Sequence, residues 1–328
     1  MSRNTSASTI PATRPKPPGP HLRQRRQDER VNFFPQLPLY SHPNEGLLGV
    51  LPRALVPYAQ LMRLEKPAGL YAVYFPYLIG LIYAACITPE RPEPLQVGQL
   101  AVALLAFSVF LRGAACSWND TLHQKFDRQV VRCRHRPVAR GAISTRQAHA
   151  FTLALLALGL YPVLNVMFPV DCTPQAAIIV ALTGLYALMK RVTAYPQIVL
   201  GITLSWGVFF SVAALGSQAH SLRVGGRDFA ATLALFGSNV AWAVTNDVFY
   251  ACQDVKDDEK IDIGSMALRF KNNIKLLAGV LTLAQVALLA LCGILAGFGP
   301  IFFVGSVAWV AIAMMYYVQS VDLDSPES

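Results

Sequence analysis

Asn119, Asp120, His123 and Asp127 end an apolar run, Val97 to Cys116, that contains one charge, Arg112. Asn119, His123 and Asp127 are spaced i, i+4, i+8, so on a helix they lie along one face. A second stretch, "VTNDVFYACQDVKDD" (residues 244–258), also follows an apolar segment. It repeats Asn-Asp, six residues, Asp as Asn246, Asp247 and Asp254, and Tyr250, Asp254 and Asp258 again stand i, i+4, i+8. An ionised Asp at a bilayer centre costs about 2.5–3.5 kcal/mol, so neither cluster is expected to face lipid. Both are expected to face a shared polar cavity.

Two facing acidic clusters repel, and a divalent cation relieves the repulsion. Mg²⁺ takes one or two carboxylates together with water and ligand phosphate oxygens. Asn119, Asp120, His123, Asp127, Asp254 and Asp258 are therefore the candidate metal ligands. Arg132, Arg136, Lys190 and Arg191 follow the apolar segments on the same side, where guanidinium and ammonium groups can grip phosphate oxygens. Carboxylates for a metal, and cations for the remaining charge, make a diphosphate site. Taken singly, a span-end Asp is a solvated cap and a basic loop a topology signal; matched spacing on one membrane face favours the site. Arg112, buried in an apolar run, is read as a cation aimed into the cavity toward a carboxylate or phenolate of a second substrate, the alternative being an interhelical ion pair.

The elements that carry these residues follow from composition. The chain is 54% hydrophobic and only 14% charged, where a soluble domain carries about a quarter charged residues. Spans of about 20 apolar residues are predicted near 69–87, 97–118, 148–168, 175–189, 196–215, 229–249, 274–297 and 299–318. The loops after the second, fourth and sixth spans are rich in Lys and Arg; the opposite loops hold only Arg91, Arg223 and Arg227. The positive-inside rule puts the N-terminus and both Asn-Asp stretches on the cytoplasmic face. The segment Arg53–Arg63 mixes apolar and basic positions and reads as an interfacial stretch. Six scattered cysteines without a CxxC pair read as reduced packing residues.

The net charge of +9 is concentrated at the start, with seven basic side chains against Asp28 and Glu29 in residues 1–30. Five prolines, Pro11 to Pro20, break any continuous helix there. Residues 1–52 are thus expected to form a disordered basic tail, and residues 53–328 the membrane domain. Buried acids in a helical bundle also mark ion pathways, so an ion-coupled transporter is the competing class. Acids at span ends beside arginines favour phosphate chemistry instead.

Three further stretches carry a family resemblance. "LRGAACSWNDTLHQKFDRQVVRCRHRPVARGAIS" (111–144) resembles the first Asp motif, NDxxDxxxD, and trailing Arg-x-x-x-Arg-Pro of the UbiA superfamily of intramembrane prenyltransferases. "YALMKRVTAYPQIVLGITLSWG" (186–207) resembles its Tyr…Lys-Arg-x-Thr…Pro-Gln segment, and "NDVFYACQDVKDDEKIDIGSMALRF" (246–270) its second motif. "RLEKPAG", from Arg63, resembles the lead-in to the first span, and the wording is most similar to fungal enzymes that prenylate polyketide phenols. The resemblance implies an all-α membrane bundle of nine spans, of which eight are counted in this sequence. It implies Mg²⁺ held by Asn119, Asp127, Asp254 and Asp258, diphosphate contacts from Arg132, Arg136 and Lys190, and a cavity lined by Arg112 and Tyr250. The implied reaction transfers a prenyl group, farnesyl by the fungal likeness, from an allylic diphosphate to an aromatic acceptor. The implied setting is fungal meroterpenoid biosynthesis in an endoplasmic-reticulum-type membrane. The alternatives are a 4-hydroxybenzoate polyprenyltransferase, a mitochondrial inner membrane, or an inactive paralogue. His123 stands where the motif has its middle Asp, and imidazole is a weaker Mg²⁺ ligand. The expected partners are the two substrates and the lipid bilayer; no nucleic acid or protein partner is expected.

Overall fold

The computed structural model describes residues 38–189, 191–216, 226–255, 259 and 264–323, and among these every regular element is a helix. Two short helices, α1 (Gly46–Val50) and α2 (Val56–Leu61), precede the bundle. The long helices are α3 (Pro67–Ile87), α4 (Pro94–Asp127), α5 (Thr145–Met167) and α6 (Cys172–Met189). They continue as α7 (Pro196–Ser205), α8 (Gly207–Ala214), α9 (Arg227–Cys252), the short α10 (Met266–Arg269), α11 (Ile274–Ala296) and α12 (Pro300–Ser320). The bundle is that of a multi-pass integral membrane protein.

Each predicted span is found as a helix, with α7 and α8 together forming one bent span across Trp206. Among the described residues, seven spans are long and apolar enough to cross a membrane, and α9, the predicted sixth, is not one of them. The reason is its location. It packs along α7 and α11, so the polar residues of its middle, Thr232, Ser238, Asn239 and Thr245, are buried within protein. Their side chains are satisfied locally: Thr232 donates to Asp228 O (2.8 Å), Ser238 to Gln285 O (2.9 Å) and Thr245 to Ala241 O (2.9 Å). Lipid never sees these groups, so the helix tolerates them.

α4 runs past its predicted end at residue 118 to Asp127, carrying the first Asn-Asp stretch as continuous helix. α5 starts from a capping box. Ser144 Oγ accepts from the Gln147 amide (3.3 Å), and Gln147 Oε1 accepts from the Ser144 amide (3.0 Å). The α3–α8 crossing depends on small residues. A Cβ on Gly80 would lie 2.7 Å from the Val208 backbone, and Ser211 Oγ donates to Tyr77 O at 2.7 Å. Beside this crossing Tyr77, Phe107, Phe168 and Phe210 interlock; the Phe107 and Phe210 rings lie 4.7 Å apart.

Ahead of the bundle, the Arg53–Arg63 segment turns one face into the protein and leaves Arg53 and Leu55 exposed. Val56, Ala59 and Leu61 of α2 are buried, with Leu61 packing against Val138, Ile143 and Ala148. Residues 38–52, placed in the tail by the sequence reading, are among the described residues and include α1, and the basic loop after α4 supplies partners to them. Arg134 donates to Pro38 O (2.7 Å), and the Arg140 guanidinium lies 3.8 Å above the Tyr40 ring. Residues 1–37, which hold the rest of that tail, lie outside the described residues.

Candidate active site

A cavity of about 840 Å³ opens among α3, α4, α6, α7 and α9. Its apolar part is walled by residues such as Tyr71, Phe75, Tyr77 and Leu204; its polar part holds Arg63, Asn119, Asp120, Arg132, Arg136, Asn246 and Asp247. The two Asn-Asp stretches therefore meet at one end of the bundle. The contact between them is ionic. Arg132 Nε and Nη2 donate to the Asp254 carboxylate at 3.0 and 2.5 Å, and its Nη1 bonds the Tyr250 hydroxyl. Its guanidinium carbon also lies 4.5 Å from the Tyr250 ring centre.

A second ionic group forms around the end of α4. Arg136 Nη1 donates to both oxygens of Asp127 at 3.0 Å and reaches Asp120 Oδ1 at 3.3 Å. Asp120, only 1% exposed, receives its closest bonds from Arg63 Nη2, at 2.7 and 2.9 Å. A carboxylate buried to that degree is tolerated because two guanidiniums face it. Burial alone would lower the Arg136 pKa, but Asp127 and Asp120 push it well above its usual value. Arg132 behaves alike: burial lowers its pKa, and the bond to Asp254, with Tyr250 beside it, more than reverses this. Between the two groups sits Cys133. Burial raises its thiol pKa; Asp127 and Asp254 push it the same way, and Arg136 and Arg132 push against it. Carboxylates from the two motifs thus lie within electrostatic range of one side chain.

Arg112 lines the cavity, and two of its donors go to backbone. Nη1 bonds Arg63 O (3.0 Å) and Nη2 bonds Lys66 O (2.9 Å), and among the described residues no ion pair joins it to an acid. The arrangement requires Gly69, where a Cβ would lie 2.6 Å from Arg112 Nη2. Arg63 itself has φ +59°, a left-handed backbone at the end of α2.

The remaining predicted residues divide. Tyr250 and Asn119 line the cavity; Asp127 and Asp254 stand behind it, gripped by Arg136 and Arg132. His123 turns away, its Nε2 lying 2.6 Å from Ala187 O. Arg191 also points elsewhere, donating to Leu122 O (2.6 Å) and lying over the Phe126 ring. Lys190 and Asp258 lie outside the described residues. Arg63, Tyr186 and His135 also line the cavity. The sequence reading named them only within longer stretches, such as "RLEKPAG" from Arg63, and gave none of them a role of its own.

Among the described residues no group of three His, Cys, Asp or Glu side chains converges as a metal site. The donor chemistry nonetheless fits Mg²⁺: Asn119, Asp120, Asp127 and Asp254 supply hard oxygens, and Mg²⁺ needs only one or two carboxylates beside water and phosphate. With its aromatic and apolar wall, the arrangement can hold a diphosphate at one end and a hydrocarbon chain with an aromatic ring at the other.

Residues 73–328 match the model of the UbiA prenyltransferase family. The chain is 40% identical over 296 residues to prenyltransferase ascA of Acremonium egyptiacum, covering 90% of this chain and 85% of that one. It is 34% identical over 275 residues to DMOA farnesyltransferase nvfB of Aspergillus novofumigatus, covering 84% of each. The fold is similar to that of a UbiA homologue from Archaeoglobus fulgidus solved with GPP and Mg²⁺, with TM-score 0.61, 18% identity, and 82% of this chain and 90% of that chain covered.

Proposed function

The chain belongs to the UbiA prenyltransferase family, and on that premise we propose that it transfers a farnesyl group from its allylic diphosphate to a polyketide-type phenol, with Mg²⁺ as the divalent cofactor. The observation that carries this reading is the Arg132–Asp254 pair, which ties the first motif's basic loop to the second motif at the edge of an otherwise apolar cavity. The farnesyl chain and the phenolic acceptor are inferred from the fungal relatives. Mg²⁺ follows from the donor set and from its presence with GPP in the archaeal homologue. The positive loops support an active site facing the cytosol; the endoplasmic-reticulum-type membrane is inferred from the likeness to the fungal relatives.

In this reading Arg132 and Arg136 exchange carboxylate partners for the diphosphate oxygens, so two guanidiniums face the charge that grows as the C–O bond lengthens. Asp254, Asp127 and Asn119 are the residues that would hold the cation. Bound Mg²⁺ would act as a Lewis acid on the departing diphosphate. The bonding pair leaves with diphosphate, and the allyl cation forms in a cavity whose lining includes the aromatic rings of Tyr250, Tyr186 and Trp242. Ring faces stabilise a cation by about 0.5–2 kcal/mol each. The apolar wall keeps water from quenching it. A ring carbon of the phenol then forms the new C–C bond and its proton is lost.

The test is product formation. Purified protein in nanodiscs with farnesyl diphosphate, Mg²⁺ and orsellinate-type phenols should yield a C-farnesylated phenol by mass spectrometry. Asp254→Ala should lower turnover at least a hundredfold, a loss of about 2.7 kcal/mol in transition-state stabilisation. Turnover retained in that variant refutes the site.

A further inference from the structure

A second void, of about 360 Å³, lies among α4, α5 and α6. Its lining is almost wholly apolar, and three of its residues, Leu111, Ala115 and Thr183, also line the main cavity. The two spaces are separated by these three side chains. On α4 the pocket runs from Leu111 to Trp118, up to eight residues before Asn119 and so up to about 12 Å along the helix axis at 1.5 Å per residue, and it reaches the outer face of the bundle at exposed Leu153. Small residues, Ala114, Ala115 and Gly184, leave room within a lining of larger ones. Gly184 of α6 lines it, and a Cβ there would meet nothing within 4 Å.

Of its polar side chains, Trp118 Nε1 donates to Gly184 O (3.4 Å), and Thr152 Oγ1 donates to Ala148 O (3.0 Å) and lies 2.8 Å from Ser117 Oγ; His149 and Thr183 also line it, yet its surface is almost wholly apolar. A phenolic acceptor would find little there to hydrogen-bond, whereas a hydrocarbon needs nothing more. We infer that this side pocket takes the distal end of the prenyl chain whose diphosphate sits in the main cavity, with Gly184 on α6 setting the longest chain that fits.

The inference rests on the function proposed above and adds where chain length is read. A tail moving from lipid into the pocket gains little from the hydrophobic effect, since lipid is equally apolar. The pocket therefore discriminates by shape. In apolar sites a mismatch of one methylene changes rates by about tenfold or more.

The experiment uses the full chain in nanodiscs with Mg²⁺ and a farnesyl diphosphate analogue bearing a diazirine at its hydrocarbon end. Labelling that unlabelled farnesyl diphosphate competes away should map to the peptides around Leu153 and Gly184. Gly184→Leu should weaken farnesyl diphosphate binding about tenfold and leave geranyl diphosphate within twofold. Competable labelling confined to the Tyr71–Phe75 side overturns the inference while leaving the diphosphate site intact. Competable labelling absent everywhere overturns both readings. A Gly184→Leu protein that binds both diphosphates as the parent does, or weakens for both equally, overturns the inference as well.

Discussion

Arg63 occupies a backbone position that helices ordinarily give to glycine. It is the residue after the cap of α2, where its amide donates to Gln60 O (3.0 Å) and the Leu64 amide to Ala59 O (3.1 Å), the Schellman pattern. A non-glycine residue in this conformation costs about 1 kcal/mol, yet the side chain is the closest partner of buried Asp120. Local geometry favours Gly; the site requires Arg. Arg63→Ala should therefore destabilise the protein by up to about 3 kcal/mol, since a buried carboxylate loses a partner while Arg136 remains. Arg63→Gly should be less destabilised than Arg63→Ala by about 1 kcal/mol through relief of the backbone. Thermal unfolding in detergent checks both; an Arg63→Gly protein less stable than Arg63→Ala contradicts the assignment. None of this was legible in the sequence, because a basic residue before a span reads first as a topology signal. His123 shows the opposite failure. Each i+4 step on a 3.6-residue helix drifts by about 40°, so Asn119 and Asp127 stand about 80° apart and spacing alone does not keep all three residues on one cavity.

At the scale of elements, the spans were legible because each must present about 20 apolar residues, a constraint that needs no tertiary context. α9 shows where that logic ends: its place is right, but its polarity is set by burial between α7 and α11. Helix contacts were not legible, since they depend on small residues whose neighbours are distant in sequence. Gly80 is the sharpest instance. Gly80→Val should separate α3 from α8, because the added atoms meet the Val208 backbone at 2.7 Å and backbone cannot yield as a side-chain tip does. A loss of about 1–3 kcal/mol is expected from overpacking, read as a lowered Tm in detergent; an unchanged Tm would show that the crossing is looser than described. Gly69→Ala acts differently, because the atom it meets is the mobile end of Arg112. It should leave stability within about 1 kcal/mol of the parent, as side-chain shifts of this kind do, although Arg112 Nη2 must move off the Lys66 carbonyl; thermal unfolding in detergent checks this.

For the whole molecule, the central feature is that two segments more than a hundred residues apart in sequence deliver carboxylates and guanidiniums to one end of an apolar bundle. Charge asymmetry of the loops foretold that shared end, and the Arg132–Asp254 bond realises it. The sequence reading expected a metal to relieve the crowding of acids. Among the described residues the arginines do so instead, each pairing with the carboxylates it would have to release. Cation and diphosphate should then bind together, each freeing the partner the other needs. The most direct measurement is the affinity of labelled farnesyl diphosphate for the full chain, with and without Mg²⁺, in the parent and in Asp254→Ala. The account predicts binding at least tenfold tighter with Mg²⁺ in the parent, a coupling of about 1.4 kcal/mol, and no such difference in the variant. An Asp254→Ala protein that keeps the full Mg²⁺ effect would contradict it.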